Sequence, residues 1–126
     1  MTLPQLNLLP IFTTRGDVEA FLAYPYIFNR NGEWIGWVTR DREVYSLLGV
    51  YVGYLSNDPR ILRKRALDES KPRLNPPSAP PRLRVPPTTP LPRMMSELGY
   101  DTIDVFEEMP ELLHTADAGE FRPDLD

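Results

Sequence analysis

The sequence predicts an all-β fold of repeated hairpins, followed by an extended proline-rich strap and a short acidic C-terminal helix. Three observations lead there. Gly32, Gly36, Asp41 and Val44 recur as Gly49, Gly53, Asp58 and Ile61, each shifted by seventeen residues. Ten of the thirteen aromatics lie between Phe12 and Tyr54, so the main core must be assembled there. Nine of the fifteen prolines fall in residues 72–92, a density that excludes helix and central strand.

Residues 10–65 form the hairpin-repeat domain. "GEWIGWVT" and "GVYVGYLS" are short, aromatic and β-branched, and bounded by turn residues, which predicts strands. Each repeat reads as a hairpin: strand 33–39, turn 40–43, strand 44–48, then strand 50–56, turn 57–60, strand 61–64. Asn31-Gly32 is a tight-turn signal because both residues tolerate positive φ, and Ser56-Asn57-Asp58-Pro59 supplies a second break. "GDVEAFLAYPYIFN" is a weaker third copy, with Gly16 sixteen residues before Gly32, Ala20 at the Gly36 position and Phe21 at that of Trp37 and Tyr54. Trp34, Gly36 and Val38 alternate with Ile35 and Trp37. Both faces of the strand are therefore apolar and both need cover. Gly36 and Gly53 predict a bend or a close backbone approach.

Residues 66–93 form the proline-rich segment, read as polyproline II or extended chain. Leu74, Leu83, Val85 and Leu91 punctuate it, which suits a strap lying on the core better than a free linker. Residues 94–126 form the acidic segment. In "DTIDVFEEMPELLHTADAG", Asp101 or Thr102 is placed to cap a helix whose Ile103, Phe106 and Met109 make one stripe. Pro110 ends or restarts it, and the final "GEFRPDLD" is expected to fray.

Charge is segregated along these three parts. Residues 1–59 carry −2, residues 60–93 carry +7 and residues 94–126 carry −9, giving the net −4. The middle and the tail therefore attract each other, within one chain or between chains. The absence of cysteine excludes disulfides and thiolate metal sites. The N-terminus lacks the pattern of a signal peptide, and no apolar run nears the roughly 20 residues of a spanning helix. A cytoplasmic protein without membrane insertion is the expectation.

The phrase "NGEWIGWVTRDREVYSLLGVYVGYLSNDPRI" resembles the four-fold β-flower domain, a small bacterial family of hairpin repeats around a pseudo-fourfold axis. The residues that carry the likeness are the Gly32 and Gly49 turns, the pairs Gly36-Trp37 and Gly53-Tyr54, and Val44-Tyr45 on the return strand. A fourth copy is not legible, and the proline-rich segment occupies its place in the order. The resemblance implies a fold and transfers no catalytic residue. "GEWIGWV" is also similar, more faintly, to small PRC-barrel adaptors.

No chemistry of catalysis is predicted. His114 is the single histidine, too little for a metal cluster or a histidine-dependent nucleophile. Asp41 and Asp58 sit in predicted turns, where aspartate serves the local backbone. No phosphate-binding glycine loop occurs, and no cofactor, metal or small-molecule substrate is predicted. The expectation is a non-enzymatic interaction or structural module, self-associating or binding another protein. Its candidate contact residues are Trp37 and Tyr54 on the aromatic surface and Pro77, Pro80 and Arg82 of a PxxP-plus-arginine pattern. The alternative is nucleic-acid binding through Arg60, Arg63, Lys64 and Arg65, against which stands pairing of that cluster with the acidic tail. An enzyme of unknown type ranks third.

Overall fold

A computed structural model describes residues 8–66, 71–92 and 94–116. The expected fraying of the last eight residues lies outside them. Eight strands form one antiparallel meander in chain order. They are β1 (Leu9–Phe12), β2 (Val18–Ala23), β3 (Tyr26–Asn29), β4 (Trp34–Val38), β5 (Glu43–Ser46), β6 (Tyr51–Leu55), β7 (Ile61–Lys64) and β8 (Thr102–Asp104). One turn of helix, α1 (Val105–Glu108), and a 3-10 turn (Pro110–Leu112) complete the structure. No helix among the described residues is long and apolar enough to cross a membrane.

The repeat is visible in the core. Ile11, Ile27, Val44 and Ile61 stand sixteen or seventeen residues apart on β1, β3, β5 and β7, and all four are 0 % exposed. Three of them face a small residue across the ladder: Ile11 pairs with Ala20, Ile27 with Gly36 and Val44 with Gly53. The small residues follow from close packing. A β-carbon on Gly53 would lie 2.1 Å from the Leu62 carbonyl oxygen, and one on Gly36 would lie 2.8 Å from both the Tyr45 carbonyl and Leu113 Cδ2. The recurring glycines thus mark the close approach that their spacing predicts.

Counted from β1, the meander makes four hairpins, β1–β2, β3–β4, β5–β6 and β7–β8. The repeats expected from the sequence are one strand out of step with this count, since 33–48 is β4–β5 and 50–64 is β6–β7. The fourth hairpin has no legible copy in the sequence. It is β7 paired with β8, with Leu62 opposite Asp104 and Lys64 opposite Thr102. Its second strand arrives from beyond the proline-rich segment. Thr102–Asp104 therefore extends the sheet instead of opening the helix, and the cap moves to Asp104, whose side chain accepts the Phe106 N–H. An unpaired β7 edge would leave a row of backbone groups without partners, and that tertiary demand overrides the local helical signal. Val105 and Leu113 then enter the core, with Phe106 and Leu112 packed against it.

One five-residue turn recurs at residues 13–17, 29–33, 39–43, 46–50 and 56–60. The first residue is Thr13, Asn29, Thr39, Ser46 or Ser56. Its N–H donates to the carbonyl of the fifth at 2.8–2.9 Å, while its side-chain oxygen accepts the N–H of that fifth residue at 2.9–3.3 Å. Short polar side chains suit this local bonding. The fourth residue takes positive φ at Gly16, Gly32, Arg42 and Gly49, the geometry of a three-residue hairpin loop with a left-handed closing position. At the predicted Asn31-Gly32 turn only Gly32 adopts it.

Ile35 and Val38 join the apolar cluster. Trp37, 8 % exposed, stacks on its cross-strand partner Tyr45, with ring centroids 5.1 Å apart and planes at 23°, and donates to the Ser46 carbonyl at 3.1 Å.

Candidate functional site

The strap runs past the turns that end the first three hairpins. Leu74 N–H donates to the Gly49 carbonyl at 3.0 Å, and Leu83 N–H donates to the Gly32 carbonyl at 2.9 Å. The preceding arginine acts alike in both places. Arg73 Nη1 donates to the Leu48 carbonyl at 3.3 Å, and Arg82 reaches the Asn31 carbonyl with Nη2 at 2.8 Å and Nε at 3.1 Å. A β-carbon on Gly49 or Gly32 would stand 2.1 Å from the Leu74 or Leu83 carbonyl oxygen. Glycine is thus required there twice, for its positive φ and for the strap. At the remaining turn Pro92 lies over Gly16, its Cγ 3.2 Å from where a β-carbon would be. Proline has no N–H, so that turn is held by packing.

These contacts share one period. Arg65 N–H donates to the Asp101 carbonyl at 2.6 Å, which places Arg65, Leu74, Leu83, Pro92 and Asp101 at successive nine-residue steps. Nine residues of polyproline II span about 28 Å. The chain leaves the fourth hairpin, passes the third, second and first in turn, and returns to the fourth as β8. Lys71 anchors the start. It pairs with Glu43 and lies 5.2 Å from the Tyr51 ring centroid, and the bond to Glu43 raises its pKa.

A polar chain joins the two ends of the sheet, with Arg60 and Asp104 buried, Asp58 half-buried and Thr14 and Ser96 exposed. Arg60 is 1 % exposed. Its Nη2 bonds Asp58 Oδ2 at 2.6 Å and the Ser96 carbonyl at 2.9 Å, its Nε bonds Asp58 Oδ1 at 3.2 Å, and its Nη1 reaches Thr14 Oγ1 at 3.0 Å. Thr14 in turn donates its N–H and its hydroxyl to Asp104 Oδ2, both at 2.7 Å. Phe12 N–H donates to the Pro59 carbonyl at 2.9 Å, which ties the end of β1 to the turn before β7. Burial alone would raise the Asp58 carboxyl, but hydrogen bonds from Arg60, Ser56 and the Ser96 amide, with the Arg60 charge, hold it at about 2. Burial pushes Asp104 the other way, upward, against the bonds from Thr14.

The chain matches the family model described as "4-fold beta flower protein" over residues 9–100. It belongs to the 4-fold beta flower family. The match starts at the first residue of β1 and takes in the strap as well as the three contiguous hairpins of the flower; β8 and α1 lie beyond it. No curated protein and no solved structure matches the chain.

Within the flower the predicted contact residues separate. Trp37 is buried and Tyr54 half-buried. Pro77 and Pro80 are half-buried on the strap, and Arg82, though exposed, is bonded to the Asn31 carbonyl. Of the basic cluster, Arg60 is enclosed, and Arg63 Nη1 donates to the Val52 carbonyl at 2.9 Å. Arg63, Lys64 and Arg65 line a cleft of about 460 Å³ with Ile103, Glu108 and Met109. Glu108 stands 3.6 Å from Arg65 there. Asp58 serves Arg60, while Asp41 is exposed on its own turn. His114 contacts the Thr115 carbonyl at 3.0 Å. Sequence reasoning passed over Thr14, Asp104, Ser96 and the Arg73-Leu74 pair. Recurrence of Arg-Leu after nine residues was the available signal for the last.

Proposed function

We propose that this flower is a non-enzymatic interaction module whose working surface is the outward side of the proline-rich strap. The carrying observation is how the strap is held. Its contacts fall at nine-residue intervals and use main-chain groups and arginines, and exposed residues stand between them. Pro76, Ser78, Ala79 and Pro81 are exposed, and Leu91 and Met94 are 90 % and 96 % exposed. An extended segment ordered before binding loses little entropy when a partner closes on it, and polyproline segments are read by aromatic-lined grooves.

The test is affinity capture from the source cells with the unaltered chain and with Pro76, Pro77, Pro80 and Pro81 all changed to Ala. The expected result is a stoichiometric partner held by the first and lost by the second. The same partner held equally by both, or none by either, overturns the reading. Nucleic-acid binding draws on fewer charges than the sequence promises, because Arg60 is sealed on Asp58. Salt-sensitive nucleic-acid binding lost on changing Arg63, Lys64 and Arg65 to Ala would put that reading in its place.

A further inference from the structure

We infer that the Gly32 and Gly49 turns are a paired peptide-docking site that reads Arg-Leu dipeptides nine residues apart, occupied here by the chain's own strap and open to the strap of a second copy. This concerns the inward side of the strap and the turns beneath it, so it stands apart from the partner proposed above.

The two docking events are chemically the same. At each, a guanidinium meets the carbonyl of the residue before glycine, and the leucine N–H meets the glycine carbonyl. The leucine carbonyl then fills the space that a β-carbon would take. Leu74 and Leu83 are half-buried while Arg73 and Arg82 remain exposed, so the leucine seats and the arginine reports sequence. Spacing sets register: both turns are engaged together only when the pairs lie nine residues apart. The Gly16 turn marks the limit of the pattern, since Leu91-Pro92 stands where Arg-Leu would be and offers neither a guanidinium nor an N–H.

A second copy is the occupant that these contacts favour. An exchanged strap remakes every bond of the resident one, so exchange between identical chains costs little beyond association. Because the strap leads into β8, exchange carries β8 with it, and the bonds from Thr14 to Asp104 reform between chains. The +7 of residues 60–93 and the −9 of residues 94–126 draw two copies together as they draw one chain onto itself.

The experiment uses the full chain with Arg73→Ala and Arg82→Ala, which loosens the resident strap, and a labelled peptide of residues 71–92 followed by fluorescence anisotropy. Saturable binding is expected, weakened about tenfold when the peptide carries the same two substitutions. Absence of saturable binding, or indifference to the arginines, overturns the site. Sedimentation velocity of the unaltered chain, refolded over a range of concentrations, reads the occupant. A dimer that grows with concentration and shrinks in the Arg73→Ala, Arg82→Ala chain supports exchange. A monomer at every concentration overturns the second-copy assignment.

Discussion

At 1 % exposure Arg60 ranks with the isoleucines of the core, and its charge is tolerated because Asp58, Thr14 and Ser96 together surround it with acceptors. Removing Arg60 takes the charge partner from Asp58 and leaves it only the bonds from Ser56 and the Ser96 amide. Arg60→Met should therefore cost about 3–5 kcal/mol, read as a drop in the urea midpoint. A loss near zero would mean that the charge is not needed where it sits. Asp58 and Asp104, the two acids of this polar network, respond to pH in opposite senses. Asp58 lies at about 2 in the folded protein against an ordinary 3.8, so its contribution is fully present above 3.8 and is lost as pH falls through about 2. That shift corresponds to about 2 kcal/mol. Asp104 is raised by burial, so the folded state takes its proton more readily than the unfolded chain. Through this group, acidification stabilises from the raised pKa down to 3.8. Urea unfolding between pH 7 and pH 2 separates the two: Asp58→Asn should flatten the profile below 3.8, and Asp104→Asn should flatten it above. Profiles parallel to the unaltered protein would refute both assignments.

Among the elements, the strap tests the idea that an extended segment can be fixed at points. Leu74 and Leu83 donate their N–H groups to glycine carbonyls, whereas no such bond is found for Asn75 or Ser78. Hydrogen exchange should show Leu74 and Leu83 slower than Asn75 and Ser78 by about tenfold or more, since exchange needs local opening. Uniform exchange along the strap would show that it is not docked. How much of this was legible depends on the range of the forces involved. The strands around Trp37 and Tyr54 were readable because alternation and β-branching are local, and their observed limits of 34–38 and 51–55 differ by one residue at each end from those expected. β8 was not readable, because Thr102-Ile103-Asp104 becomes a strand only through the open edge of β7. Acids on either side argue locally for a helix start. The polar chain was out of reach for the same reason: Thr14 bonds partners 46 and 90 residues away. The strap's nine-residue step lay in plain sight at Arg73-Leu74 and Arg82-Leu83, but proline density drew the reading toward partner motifs instead.

For the whole molecule, the strap turns an open meander into a closed circuit. It leaves at Arg65, touches three turns and comes back to Arg65 through Asp101, and the segment it delivers contributes Val105 at 0 % and Leu113 at 6 % exposure to the core. Two accounts of what holds that segment in place give different outcomes. If the tether does so, by keeping β8 near β7, the loop entropy of the intervening residues is the controlling quantity. If the contacts do so, the tether is dispensable once folding is complete. The contacts include the β7–β8 ladder, the bonds of Ser96 to Asp58 and Arg60, the Thr14–Asp104 bonds and two buried apolar side chains. Burial of a Val and a Leu alone is worth about 3–6 kcal/mol. A protease site placed at Ser78-Ala79, midway between the Leu74 and Leu83 anchors, distinguishes the two by cutting the folded protein. The two pieces should co-elute at micromolar concentration, and their unfolding midpoint should become dependent on concentration, as association requires. Immediate separation after cleavage would mean that continuity of the strap, and not the lock and core contacts, keeps the fourth hairpin closed.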